Sequence, residues 1–416
     1  MKPVWPLLVL FSAATQLGAQ QPATPPGTNL QVYLMTMGAG ADIYERFGHN
    51  AIWIRDTVGH TDIVYNYGMF SFPGTVAGLA VFGARFAMGP QQYWLGYDDL
   101  DNTLLTYRNR KRDVTVQELN FAPSQRADLA SRLAVNALDA NRYYAYDYFR
   151  DNCSTRIRDM LDLELGGALK RATTAKPADG TLRFHTLRSI TNDKLLFVGI
   201  NAAFGPHVDR PLDQWDEMFL PAKVQQRMRE LTIAGPDGRD RPLVKREISL
   251  LNMNAYHVDA APPAWGGALI GISLVVAALI RLTESQRRIA LVGRVVGGAW
   301  MLLVGVGGLT LLFFWLFTDH VATWANRHLL LLSPLALALV SSFWYRGDRR
   351  PRPWVPRVVM ALMLSVAIGG LLAFLPQVSG QQTAILAQLT ALPTFVAALE
   401  ALRGWHRRNE GRGAAS

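Results

Sequence analysis

Five apolar stretches occupy the last third of the chain, near residues 264–280, 295–317, 329–345, 358–376 and 383–402. A water-soluble domain has no interior able to hide that much contiguous apolar helix. Each stretch reaches about the 17 to 25 residues that a helix needs to cross the hydrocarbon core of a bilayer. Pro376 and Pro393 stand at positions that membrane helices tolerate. The expectation is an all-α bundle of about five transmembrane helices over residues 264–416. Its fifth member is the most polar, diluted by Gln381, Gln382 and Gln388.

Charge supports that reading and gives it a direction. The formal charge of the 416-residue chain is +10, which on its own would invite a nucleic-acid partner. Residues 264–416 carry 14 Lys+Arg against 5 Asp+Glu, a net of +9, and the remainder of the chain is almost neutral. Thirteen of those 14 arginines fall in loop 281–294, loop 346–357 and the tail from Arg403, whereas the alternate loops, 318–328 and 377–382, hold only Arg327. Arginine that alternates loop by loop is the positive-inside pattern of a membrane protein. It places residues 20–263 outside the cytoplasm and removes any need for a nucleic-acid surface.

The N-terminus agrees. Met1-Lys2, an apolar run from Val4 to Ala14 and small residues around Leu17-Gly18-Ala19 read as a secretory signal over residues 1–19, too short in its apolar core to span. An uncleaved anchor is the alternative. Residues 20–263 are long enough to bury a core without staples, and they read as an α+β domain. Strands are expected at Leu30 to Met37, Gln91 to Gly96 and Val114 to Leu119, with a hairpin pairing Asn50–Arg55 with Asp62–Tyr67. Helices are expected at Pro123 to Leu138, Cys153 to Leu165, Leu182 to Ala203 and Pro221 to Leu231, with loops at 171–181 and 234–242. No paired histidines stand at metal-ligand spacing, no Gly-rich phosphate loop is present, and no cofactor is expected.

Cys153 is the only cysteine, so in an oxidising compartment it has no intramolecular disulfide partner. It follows Asp151-Asn152 at the start of a helix, where free backbone N–H groups and the helix dipole favour a thiolate and could receive an oxyanion. A thiolate nucleophile calls for a base, and His49 and His60 stand upstream. If the hairpin turns near residues 57 and 58, His49 lies opposite Asn66 or Tyr67, so Asn66 could orient the imidazole. Cys153, His49 and Asn66 then form a Cys-His-Asn set of papain-like logic. Asn152, Tyr146 and Tyr148 could line the substrate site. The bland alternatives are a buried structural cysteine, a solvated turn at His60, and surface or packing roles for His185 and His207.

Longer runs resemble a known family. Arg46-Phe47-Gly48-His49-Asn50-Ala51, Val64-Tyr65-Asn66-Tyr67-Gly68-Met69-Phe70 and Tyr146-Asp147-Tyr148-Phe149-Arg150-Asp151-Asn152-Cys153-Ser154-Thr155-Arg156 look like the periplasmic domain of Lnb-type lipoprotein N-acyltransferases. Asn109-Arg110, Thr181-Leu182-Arg183 and Trp215-Asp216-Glu217-Met218-Phe219-Leu220-Pro221 extend the likeness, as do Thr318-Asp319-His320 and Asn326-Arg327-His328 in the exported membrane loop. The resemblance implies a permuted NlpC/P60-like, papain-related core with Cys153 as nucleophile and His49 as base. It also implies an inner-membrane enzyme that moves an acyl chain from phospholipid to the N-terminal amine of a diacylated lipoprotein. Asp319 and His320, on the exported side, would contact lipid headgroups or position the domain on the bilayer; capping of helix ends at the interface is the alternative. A cell-wall amidase or peptidase using the same Cys/His pair, and a non-catalytic envelope-binding module, are the rival classes.

Overall fold

The structure is a computed structural model that describes residues 25–71, 75–89, 91–235, 238–282, 287–344 and 352–413. The segment expected as a secretory signal and parts of the loops at 281–294 and 346–357 lie outside those residues.

An antiparallel sheet organises the N-terminal domain. Its strands are β1 (Leu30–Met37), β2 (His49–Asp56), β3 (Thr61–Met69), β4 (Gln92–Asp99), β5 (Val114–Leu119), β6 (Tyr143–Ala145) and β11 (Val244–Leu251). They run in the order β11-β5-β1-β2-β3-β4-β6, and all their pairings are antiparallel. The remaining strands form two short ribbons: β7 (Pro177–Thr181) with β8 (Pro211–Asp213), and β9 (Thr232–Ala234) with β10 (Asp240–Pro242). β1 is an interior strand, and both of its faces are apolar. Val32 and Leu34 pack into one buried cluster and Tyr33, Met35 and Met37 into another. Side chains that alternate across a strand line opposite faces, and each fully buried Leu or Ile contributes roughly 1.5–3 kcal/mol.

Helices cover both faces. α1 (Val76–Met88) links β3 to β4, and α2 (Leu100–Asn109) lies over the Tyr33–Met35–Val64 side through Leu100, Leu104 and Tyr107. α3 (Pro123–Asn136) and α4 (Cys153–Glu164) pack on the other side through Leu129, Leu133, Ile157 and Leu161. α5 (Ala168–Thr173), α6 (Leu182–Ser189), α7 (Lys194–Ala203), α8 (Gln214–Glu217) and α9 (Pro221–Glu230) complete the domain.

Several expectations change here. The helix expected over Leu182 to Ala203 is two helices, because Asp193 caps α7 by accepting the Leu196 N–H and so starts a new helix. The loop expected at 171–181 contains the end of α5 and β7, and the loop expected at 234–242 holds the end of β9 and all of β10. β11, α1 and α2 were not expected. β11 is an edge strand, mostly exposed and carrying Lys245, Arg246 and Glu247, and such charge on an edge discourages pairing with other chains.

The C-terminal domain is helical: α10 (Gly266–Arg281), α11 (Arg287–Phe317), α12 (Ala336–Trp344), α13 (Val355–Ala373), α14 (Pro376–Ser379) and α15 (Ala384–Gly413). Among the described residues, three helical segments can cross a membrane by length and composition: Ile289–Phe317, Val355–Ala373 and Ala384–Glu410. α10 is apolar but only 16 residues long. The stretch expected as a span at 329–345 opens with a 3₁₀ turn at Arg327–Leu330 and becomes α-helical only at Ala336. Pro334, which lacks an N–H and restricts the residue before it, stands at that break. Ile280, Met301, Val304, Leu339, Phe343, Leu362 and Ala397 form the core of the bundle.

The two domains are joined by a buried polar junction. Arg183, almost fully buried, pairs with Asp209 at 2.7 and 2.9 Å and donates to the Asn201 and Phe204 carbonyls. From the membrane side, Asn326 donates to the carbonyls of Ala202 and Ala203 at 2.8 and 2.9 Å, and Gln381 donates to Phe204 O at 2.9 Å. His328, fully buried, places Nδ1 2.9 Å from Ala202 O. The end of α7 is thus capped by side chains from the two loops with little arginine.

Candidate active site

β2 brings His49 to the site, and its entry is fixed from outside the strand. Gly48 adopts φ +85°, and a Cβ there would sit 2.8 Å from Met37 O, so the approach to His49 requires glycine. Buried Glu45 in the preceding turn is held by Arg110 and by Arg112 at 3.2 Å. Arg112 also donates to Gly38 O at 2.8 Å. The Asn109-Arg110 motif therefore anchors the loop that precedes His49.

The hairpin register differs from expectation. Ile52 pairs with Tyr65 and Asp56 with Thr61, and recorded pairing stops at Ile52. Continued, that register would place His49 opposite Gly68 instead of Asn66 or Tyr67. Asn66 nevertheless reaches His49 on the diagonal, with Oδ1 3.3 Å from Nε2. The Asn66 amide donates to Val64 O at 3.4 Å, which sets its orientation. Oδ1 can only accept, so the contact is a hydrogen bond in the tautomer with the hydrogen on Nε2, the one that frees Nδ1.

The strands part beyond Ile52 because β3 bulges. Its register against β4 shifts between Asn66 and Met69, and Gly68 within the bulge has φ +87°. A Cβ on Gly68 would lie 3.6 Å from both Cys153 Cβ and Tyr146 Cε2, so the bulge seats against the thiol.

Cys153 is the first residue of α4, and its position follows from an unusually complete cap. Asn152 Oδ1 accepts the Ser154 and Thr155 N–H groups at 2.8 and 2.9 Å, and Thr155 Oγ1 accepts the Asn152 N–H at 2.8 Å. The Asn152 amide donates to Tyr148 O at 2.8 Å and Phe219 O at 3.0 Å. This corrects two expectations. Asn152 is buried and committed within the fold, so it positions Cys153 and is not available to substrate. Two of the first-turn amides expected to be free are taken, which leaves the Cys153 N–H as the donor unpaired among the described residues.

Asp151, whose charge would oppose a thiolate, is turned away. It forms a two-point pair with Arg156 at 2.5 and 2.7 Å, and that guanidinium lies 3.7 Å from the centre of the Tyr144 ring. Burial pushes the Cys153 thiol up, but the His49 charge and hydrogen bond, the Asn50 N–H and the Ser154 hydroxyl outweigh it. The net result is a pKa lowered to about 7.

A tyrosine wall flanks the thiol. Tyr93 stacks on Tyr146 at 4.2 Å, Tyr146 meets Tyr148 edge-on at 6.0 Å, and Tyr148 stacks on His320 at 6.3 Å. Burial raises Tyr146 well above the ordinary phenol value, as does the neighbouring thiol. It stays protonated and able to donate. The aromatic row thus runs from the Cys153 site to the loop after α11. Asp319, next to His320, is exposed, and its N–H donates to Met88 O at 3.0 Å.

Other histidines have structural places. His60 sits exposed in the hairpin turn. His185 has the packing role of the two expected: it is buried, Nδ1 accepts from Arg188 Nε at 3.2 Å, and Nε2 lies 3.4 Å from fully buried Glu217. Desolvation raises Glu217, but His185 and Lys223 lower it to about 2. The Trp215–Pro221 motif, read only as a likeness, had given no sign of this buried carboxylate. Among the described residues no group of three or more His, Cys, Asp or Glu side chains could hold a metal ion.

Comparison with known proteins gives two family matches. The Lnb N-terminal periplasmic domain matches residues 22–193, and the Lnb transmembrane domain matches residues 268–400. No match was found among curated proteins or among solved structures. The two matches together span most of the chain, Cys153 and His49 included, so this membrane protein with a periplasmic domain belongs to the Lnb-type lipoprotein N-acyltransferase family.

Proposed function

We propose that the protein is an inner-membrane cysteine acyltransferase that moves an acyl chain from phospholipid to the N-terminal amine of a diacylated lipoprotein. The observation that carries this reading is the Cys153–His49–Asn66 chain, with its lowered thiol pKa, set beside an aromatic row that ends on a membrane loop. His49 Nδ1 accepts the thiol proton, and the thiolate attacks the ester carbonyl. The tetrahedral oxyanion is met by the Cys153 N–H, with Tyr146 as a further donor. Collapse breaks the C–O bond, the leaving alkoxide takes the proton from His49, and a Cys153 thioester remains. The lipoprotein α-amine then attacks, passes a proton to His49, and the thiol is restored. Asn66 holds the imidazole in the tautomer that each proton transfer needs. The order His49 then Cys153 along the chain, with the thiol on a helix that packs against an antiparallel sheet, supports a permuted papain-like, NlpC/P60-related core. The arginine pattern supports five crossings and a cytoplasmic C-terminus.

The test is incubation of the purified full chain with radiolabelled phospholipid. A hydroxylamine-labile acyl adduct that is absent from Cys153→Ala, and that is discharged by a diacylated lipopeptide, is the expected result. The acceptor carries acyl esters of its own, so the label is also placed there. Transfer from that source alone would change the donor and keep the thioester. Muropeptide cleavage without any adduct would replace the acyltransferase reading by the amidase one.

A further inference from the structure

Among the described side chains, α1 contributes none to the apolar clusters of the N-terminal domain. Its 13 residues hold one charge, Arg85, and no acid. Ala77, Val81, Ala84, Arg85 and Met88 are exposed. These positions recur at the spacing of a single helical face, and Val81 and Met88 leave 51% and 48% of their surface uncovered. A helix face that is apolar apart from one arginine calls for an apolar neighbour.

Its place in the fold says which. Asp319 donates its N–H to Met88 O, and a Cβ on Gly89 would lie 3.2 Å from the Asp319 side chain. Asp319 is two residues beyond Phe317, the last residue of α11 and of the longest spanning segment. Phe313, Leu316 and Phe317 are exposed at that end, where a spanning helix meets lipid. The end of α1 is therefore tied at the depth at which α11 leaves the bilayer. Both ends of the α1 insertion also reach the thiol site: Gly68, just before it, faces Cys153, and Tyr93, just after it, stacks on Tyr146.

We propose that α1 is an interfacial helix whose Ala77–Val81–Ala84–Met88 face inserts into the periplasmic leaflet, bringing the lipid surface to the mouth of the Cys153 site. Arg85 lies along the same face with its aliphatic stem in the apolar layer and its guanidinium among the phosphates. This deepens the acyltransferase reading by naming the route to the thiol, but the placement of the helix is measurable without any turnover.

Cys153 is the chain's one cysteine, so Cys153→Ala gives a cysteine-free background. In it, Val81→Cys and, separately, Met88→Cys are labelled with an environment-sensitive NBD probe. Val58→Cys, in the exposed hairpin turn, is the control. The full chain is placed, one copy per nanodisc, in phosphatidylethanolamine and phosphatidylglycerol containing a headgroup-region spin-labelled lipid. The expected result is blue-shifted emission quenched by the spin label at 81 and 88, with water-like, unquenched emission at 58. Water-like emission at both 81 and 88 overturns the proposal. So does blue-shifted emission that the lipid label does not quench, which would point to a protein occupant. In the intact enzyme, Val81→Glu is expected to slow adduct formation from vesicle phospholipid about tenfold, the equivalent of losing one buried valine. Insertion of α1 without any adduct in the unsubstituted chain would sink the acyltransferase reading and leave the interfacial helix standing.

Discussion

At Cys153 two opposing effects meet, and their balance can be read from outside. Burial alone would lift the thiol above its ordinary value, while His49 and the Asn50 N–H lower it to about 7. The thiolate is the reactive form, so alkylation of the full chain by iodoacetamide should rise through about pH 7, below the ordinary thiol value of about 8.5. His49→Ala removes the charge and the hydrogen bond and leaves the burial, so its midpoint should move above the ordinary value. An unchanged midpoint in that variant would show that His49 does not act on the thiol. Asn152 is the second residue on which the site turns. Asn152→Ala frees two amides and abandons the Tyr148 and Phe219 carbonyls. The lost cap costs about 1–2 kcal/mol. It should appear as a lower melting temperature together with slower Cys153 alkylation at pH 8, where deprotonation is no longer limiting.

The β3 bulge is the element that makes room for the thiol, and it tests how backbone shape supports chemistry. In Gly68→Ala the new Cβ would meet Cys153 and Tyr146 only at ordinary contact distance, 3.6 Å. The cost is therefore the left-handed φ, about 1–2 kcal/mol, and not a clash. The variant should stay folded by circular dichroism yet lose alkylation rate as the bulge relaxes. Full reactivity would mean that the bulge has no part in seating the thiol. This bulge also marks a limit of sequence reading. Periodicity located β1, the β2–β3 hairpin, β5 and α4 to within a residue or two, because each has a clear apolar face. The exact pairing was not legible, since a bulge and a diagonal Asn66–His49 contact leave no periodic trace. β11 was missed because an edge strand with Lys245-Arg246-Glu247 buries too little to alternate. α1 and α2 were missed because their start signals are single capping residues, Thr75 and Asp99, of a kind that turns use equally. Cys153, His49 and Asn66 were legible because residue type, a helix start and a hairpin each narrow the choice. The engagement of Asn152 and the buried Glu217 depend on contacts distant in sequence.

On the scale of the whole molecule, the reaction proposed needs a periplasmic site held at a fixed height over the bilayer, and the Arg183–Asp209 junction supplies that restraint. The pair is buried on both sides, at 1% and 5% side-chain exposure, and is surrounded by the α7 carbonyls that Asn326 and Gln381 also reach. Gln382 adds its N–H to Asp209 at 3.2 Å, so the same carboxylate binds both domains. Arg183→Met would keep much of the volume and leave Asp209 buried without its partner, a loss of about 3–5 kcal/mol. The N-terminal domain has its own apolar core and the helical domain another. Arg183 lies in neither core and bonds residues 201–209, the segment that Asn326, Gln381 and Gln382 hold from the membrane side, so the loss falls on the surface where the domains meet. The full-length variant in detergent should show two thermal transitions where the unsubstituted protein shows one, with new proteolytic cleavage between residues 190 and 210. The Cys153 alkylation midpoint should remain near pH 7, because His49 and the α4 cap lie outside the junction. A single, uniformly lowered transition with a shifted midpoint would mean instead that the junction is part of the catalytic domain's own stability and not the hinge point between its site and the membrane.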